Sequence, residues 1–122
     1  MLDYTVIMSS STPDCVFCKI VKKEIPSKIV FENENCIAFN DINPASPVHI
    51  LVIPKVHYKN LWEISDKDLL GNLLLASKEI AKLHGLEQGF RTVINTGDNG
   101  GQTVHHMHLH VLGGRFHKWP PG

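Results

Sequence analysis

The chain has no excess of charge of either sign. Twelve lysines and arginines balance twelve aspartates and glutamates over 122 residues. Such a chain carries no broad field to draw it onto nucleic acid or a membrane surface, so any anion it binds must be held by a local site. Long apolar runs are missing as well; none approaches the roughly 20 residues that span a bilayer. The opening MLDYTVIMSSSTP lacks the basic stretch and apolar core of a signal peptide. Cysteine is scarce: there are three, an odd number, and two of them form C-x-x-C. That speaks against a disulfide framework and for a reducing compartment, the cytoplasm, with the nucleus also open.

What is present suffices for one domain with a real core: 43% of the residues are hydrophobic and 20% charged. Residues 1–13 read as a flexible tail ahead of a domain at 14–122. CVFCKIVKKE (15–24) reads as a short helix stopped by Pro26. KIVFEN (28–33) and CIAFND (36–41) form a hairpin pattern, and VHILVIP (48–54) is a continuous apolar run of buried-strand length. Ser65 and Asp68 fit a capping box. Leu69, Leu73, Ala76, Ile80 and Leu83 then follow helical spacing, and Gly85 stands where a left-handed cap belongs. FRTVIN (90–95) and residues 104–112 read as strands on either side of the glycine-rich TGDNGGQ (96–102). The expected class is α+β: an antiparallel sheet of about five strands with two helices.

Four histidines fall within six positions of TVHHMHLHVLGG (103–114). His106, His108 and His110 alternate with Met107, Leu109 and Val111. On a strand this period of two puts the imidazoles in a row on one face and the apolar residues in the core. Such a row admits three readings: an ordinary surface strand, a catalytic metal site, or nucleophilic chemistry on phosphorus. A neutral imidazole is a competent nucleophile, and its neighbours can supply hydrogen bonds to a phosphate. Cys15 and Cys18 have the spacing of half a zinc site, and a redox pair is the other reading, although the βαβ context it needs is missing. Cys36 reads as buried filler.

HHMHLHVL resembles the motif of the histidine triad family, His-φ-His-φ-His-φ-φ with φ apolar. CVFCKIVKKEIPSKIVFEN, CIAFNDINPASPVHILVIPKVH, VINTGDNGGQTVHHMHLHVLGGR and the final WPPG are similar to its nucleotide-binding, or Hint, branch. Two departures stand out: His105 where an aromatic is usual, and Thr103 where serine is. The resemblance implies hydrolysis of the P–N bond of purine nucleoside 5′-phosphoramidates through a nucleotidyl-His108 intermediate, with a nucleotide such as AMP or GMP as ligand. It implies that His110 binds a phosphate oxygen, that His106 and His49 support His108, and that Thr103 touches the phosphate or leaving group. Asp41, Ile42, Asn95, Gly101, Gln102 and Thr103 match nucleotide-binding positions. It implies no cofactor for the chemistry, but a structural zinc on Cys15, Cys18, His57 and His106. It also implies a two-fold homodimer whose sheets join and whose Trp119 reaches toward the partner's site. A nucleotide-binding interaction protein and a dinucleoside polyphosphate hydrolase are the alternative functions.

Overall fold

The run VHILVIP becomes the central strand, β3 (Val48–Pro54), buried at every residue after Val48. A continuous apolar strand must be covered on both faces, and this requirement organises the rest. The computed structural model describes residues 13–122, so the tail expected over residues 1–13 lies, except for Pro13, outside the described residues. Along the chain come α1 (Val16–Val21), β1 (Ile29–Glu32), β2 (Cys36–Asn40), β3, a 3-10 turn (Leu61–Glu63), α2 (Lys67–Leu83), β4 (Arg91–Val93) and β5 (Leu109–Gly113). The sheet order is β1-β2-β3-β5-β4, and every neighbouring pair is antiparallel. This is the expected α+β class.

The pleat divides the core in two. Cys36, Ala38, Ile50, Val52, Leu109 and Val111 pack toward α2 with Leu73, Ala76 and Ile80. Ile37, Phe39, Leu51 and Ile53 pack on the opposite face with Phe17 and Ile20 of α1. His49 and His110 occupy the same alternation as Leu51 and therefore share the α1 face.

The histidine strand is shorter than its pattern predicts, because the period-two pattern begins at 104 and β5 at Leu109. The register explains the difference. Val52 pairs with Leu109, so continuing the ladder would set Pro54 opposite Met107. Pro54 has no N–H to give. Met107 N–H donates instead to the Tyr58 carbonyl at 2.7 Å, and the Pro54 carbonyl faces His106 Nε2 at 2.9 Å. The alternation outlasts the strand: Met107 packs in the α2 core with Leu109 and Val111, while His106 meets Cys15 and Phe17 of the α1 segment and His108 meets Phe17 as well, so the three imidazoles lie toward α1 as expected.

Other boundaries shift for local reasons. α2 is capped by Asp66, not Ser65: Asp66 Oδ1 accepts from Asp68 N–H at 3.0 Å and Leu69 N–H at 3.2 Å. A carboxylate there satisfies two orphan donors and faces the positive end of the helix dipole. At the far end Leu86 N–H reaches the Ala81 carbonyl and Gly85 N–H the Lys82 carbonyl. This is a Schellman closure, which requires the positive φ of 71° at Gly85. Leu83, expected inside, is exposed; Ser77 and Ala81 are buried in its stead. α1 spans six residues rather than the ten suggested, and β4 three rather than six.

Asp66→Ala is expected to lower folding stability by about 1 kcal/mol. Ser65→Ala should change it by less than about 0.5 kcal/mol. Urea unfolding of the two variants checks the assignment of the cap.

Candidate active site and metal cluster

Each buried imidazole is oriented by a backbone group, and that fixes where its proton resides. His108 Nδ1 lies 2.7 Å from the His106 carbonyl. A carbonyl only accepts, so Nδ1 carries the hydrogen and Nε2 keeps its lone pair. His49 Nδ1 lies 2.9 Å from Ala45 N–H. An amide only donates, so the His49 hydrogen is on Nε2, which donates to His110 Nδ1 at 2.9 Å. His110 then holds its own hydrogen on Nε2. The His108 and His110 rings are 5.0 Å apart at 65°. A ring with a lone pair on Nε2 thus neighbours a ring with its hydrogen on Nε2.

His106 is turned the other way. Its Nε2–H donates to the Pro54 carbonyl, so the Nδ1 lone pair faces Cys15 Sγ at 3.3 Å, Cys18 Sγ at 3.5 Å and His57 Nδ1 at 3.2 Å. Cys18 Sγ is 3.3 Å from His57 Nδ1. All four donor atoms lie within 4.8 Å of one another. A tetrahedral zinc with bonds of about 2.0–2.3 Å sets its ligands about 3.3–3.8 Å apart. Two thiols and two imidazole nitrogens converging at these spacings, one of them a forced lone pair, fit such an ion.

Asp41, His49 and His110 form a second group of compatible spacing. Here the tautomers argue against a cation. The Ala45 N–H occupies one His49 nitrogen, so binding a metal at the other would require an imidazolate. Asp41 Oδ2 instead sits 3.4 Å from His49 Nε2, where its charge supports that N–H.

Burial sets the charge state. It pushes His110 from 6.5 down to about 4, helped by the neighbouring His108 and His49 and opposed by Asp41. It pushes His106 down to about 4 against the Pro54 hydrogen bond, with His57 and His108 adding to the fall. His108 is lowered by burial, against its bond to the His106 carbonyl and the pull of Asp41. His49 is lowered by burial and His57 likewise, opposed by Asp41 and Glu63 respectively. At neutral pH the group is a set of uncharged donors and acceptors.

The remaining residues singled out in the sequence take distinct places. Asp41 follows β2 and meets the triad through His49, while Oδ1 accepts from Asn43 N–H at 2.8 Å. His49 itself, expected to support His108, meets His110 instead. Ile42 is 92% exposed beside them. In the glycine loop Asn95 Nδ2 donates to the Gly100 carbonyl at 2.7 Å, and Gly101 has a φ of 80°. Gln102 is turned inward. Its Nε2 donates to the Lys59 and Val104 carbonyls, its Oε1 accepts from Gly97 N–H, and its own N–H reaches the Gly97 carbonyl. Its side chain therefore shapes the loop. Thr103 and His105 line a cleft of about 930 Å³ with Cys15, His57 and Tyr58; His108 and His110 do not border it.

Sequence reasoning missed Phe17. Its ring stands edge-on to both His106, at 5.8 Å, and His108, at 5.3 Å, and so packs against one ring of the Cys/His cluster and one of the His108–His110 pair. Its one signal was an apolar residue inside C-V-F-C.

Because His110 is neutral in the fold with a depressed pKa, the unfolded chain binds more protons below 6.5. The stability it contributes is complete above that value and is lost as pH falls toward about 4. Wild type should therefore lose more stability than His110→Gln between pH 7 and pH 4.5, read as the shift of the urea midpoint.

The family model described as the HIT domain matches residues 22–117. A 14 kDa zinc-binding protein from Brassica juncea is 50% identical over 113 residues, covering 89% of this chain and all of the relative. The crystal structure of a HIT family hydrolase from Legionella pneumophila shares 49% identity with a TM-score of 0.86, over 89% of this chain and 100% of that one. A histidine triad nucleotide-binding protein from Candida albicans shares 36% identity with a TM-score of 0.76, over 80% and 73% of the two chains. The five-stranded antiparallel sheet with its two helices is the fold of HIT family hydrolases, and the chain belongs to the HIT domain family.

Proposed function

We propose that the protein is a purine nucleoside phosphoramidase of the Hint type. One observation carries this reading: the His108 ring, whose Nδ1 is taken by a carbonyl so that Nε2 keeps its lone pair, stands 5.0 Å from the His110 ring, whose hydrogen is on Nε2. His108 Nε2 attacks the α-phosphorus of a nucleoside 5′-phosphoramidate. The P–N bond to the amine breaks, and the amine takes a proton from water as it leaves. The phosphorus is now bonded to His108, and the His110 N–H bonds a non-bridging oxygen, where charge builds in the transition state. Water then attacks, the bond to His108 breaks, the proton returns to solvent and the nucleoside monophosphate departs. Asp41 is suited to the ribose hydroxyls, since a carboxylate accepts from both.

Cys15, Cys18, His57 and His106 would hold zinc, which supplies a cross-link between α1 and the segment leading into β5 rather than a step of the reaction. Native mass spectrometry of untagged protein should find one zinc per chain, not two, and Cys18→Ser should lose it. A second equivalent would mean that the Asp41, His49 and His110 group also binds metal.

The assembly belongs to the same reading. Leu74, Leu75 and Leu83 on α2 and Phe90 before β4 are exposed, and among the described residues β4 is an edge of the sheet. A two-fold homodimer would cover these together. Sedimentation at micromolar concentration should give twice the chain mass; a monomer would contradict it.

The enzyme reading is tested with a fluorogenic adenosine 5′-phosphoramidate. His108→Ala should lose turnover by on the order of 10³-fold or more while still binding AMP. Wild type that binds AMP without turning the substrate over would make the protein a nucleotide-binding module instead.

A further inference from the structure

The turn at 44–47 carries the one amide that fixes the His49 tautomer. It contains two prolines, and Pro44, Ala45 and Pro47 are all exposed. The segment just after β5 supplies its anchors. Arg115 Nη2 donates to the Ala45 carbonyl at 3.2 Å. Ser46 Oγ and His117 Nε2 are hydrogen-bonded at 2.9 Å, with Ser46 buried. Gly114, at a φ of 88°, lets this segment lie against the turn: a Cβ there would stand 2.9 Å from Pro47 Cβ. The segment is itself tied to the sheet, since Arg91 Nη2 donates to the His117 and Lys118 carbonyls at 3.3 and 2.8 Å.

We propose that Arg115 and His117 are positioning residues that clamp the 44–47 turn so that the Ala45 N–H keeps His49 in its Nε2–H form. His49 then presents a donor to His110 Nδ1, and His110 presents its own N–H outward. The chain of constraint runs from Arg91 through the C-terminal segment to Ala45, His49 and His110. Neither Arg115 nor His117 touches the reacting atoms. If the turn drifts, Ala45 N–H leaves His49 Nδ1 and the proton divides between the two nitrogens. His110 then loses its donor and no longer holds a hydrogen on the outward nitrogen. A neutral imidazole has one proton, so the wrong tautomer of His49 reverses the whole pair.

The value of this arrangement for catalysis rests on the phosphoramidase reading, but the tautomers can be read without it. Long-range proton–nitrogen NMR of the full chain reports the protonated nitrogen of each histidine. In wild type His49 and His110 should both be Nε2–H. In Arg115→Gln and in His117→Phe the His49 nitrogen shifts should move toward a mixture, and Arg115→Lys should restore them in part. With phosphoramidate substrate the same variants should lower kcat on the order of tenfold with a smaller change in KM. Ser46→Ala, a milder change at the same contact, gives the same readout if a charged variant unfolds. Histidine shifts identical to wild type in the folded variants would overturn the clamp. Wild type with the stated tautomers but no turnover would overturn the enzyme reading and leave the clamp standing.

Discussion

The 2.7 Å hydrogen bond from His108 Nδ1 to the His106 carbonyl is the constraint on which the site depends. It takes one nitrogen of His108 out of play and leaves the other as a free base in a buried place where charging is costly. The same logic repeats at each ring. Pro54 turns the His106 lone pair toward the cysteines, and Ala45 turns the His49 hydrogen toward His110. Backbone groups do not titrate, so they set these tautomers over the whole range in which the rings stay neutral. Four neighbouring imidazoles would repel one another if charged. Held neutral and alternately oriented, they divide into two groups that both meet Phe17: His106 with the cysteines, and His108 with His110 and His49.

The fold supplies the rigidity that this needs. β3 is covered on both faces, and its partner β5 places His110 directly opposite Leu51. His49, two residues earlier on β3, is then a diagonal neighbour within reach of the His110 ring. Pro54 ends this ladder, and its carbonyl accepts from His106 Nε2, which leaves the other nitrogen of that ring toward the cysteines.

Much of the architecture was legible because it is local. Period-two apolar residues marked the strands, and 3.6 spacing closed by Gly85 marked α2. The cap was misplaced by one residue because Ser65 and Asp66 are both good caps, and only the hydrogen bonds distinguish them. The end of β5 could not be read from its own residues, since it is decided by the missing N–H of a proline 53 positions earlier in the chain. The histidines, Asp41 and the C-x-x-C stood out by residue type and by resemblance. Which nitrogen carries each proton did not, because it depends on Ala45, Pro54 and a carbonyl within the triad itself. Phe17, Arg115 and His117 were invisible for the same reason: their roles are contacts between segments far apart in sequence.

The most direct test of this account is where the nucleotide is attached during turnover. Wild type is mixed with an adenosine 5′-phosphoramidate, quenched rapidly in alkali, which preserves phosphorus–imidazole bonds, and mapped by mass spectrometry and phosphorus NMR. The tautomers predict one adenylyl group, on His108, bonded through Nε2. An adduct through Nδ1, an adduct on His106 or His110, or product formed at full rate with no adduct at all would contradict it.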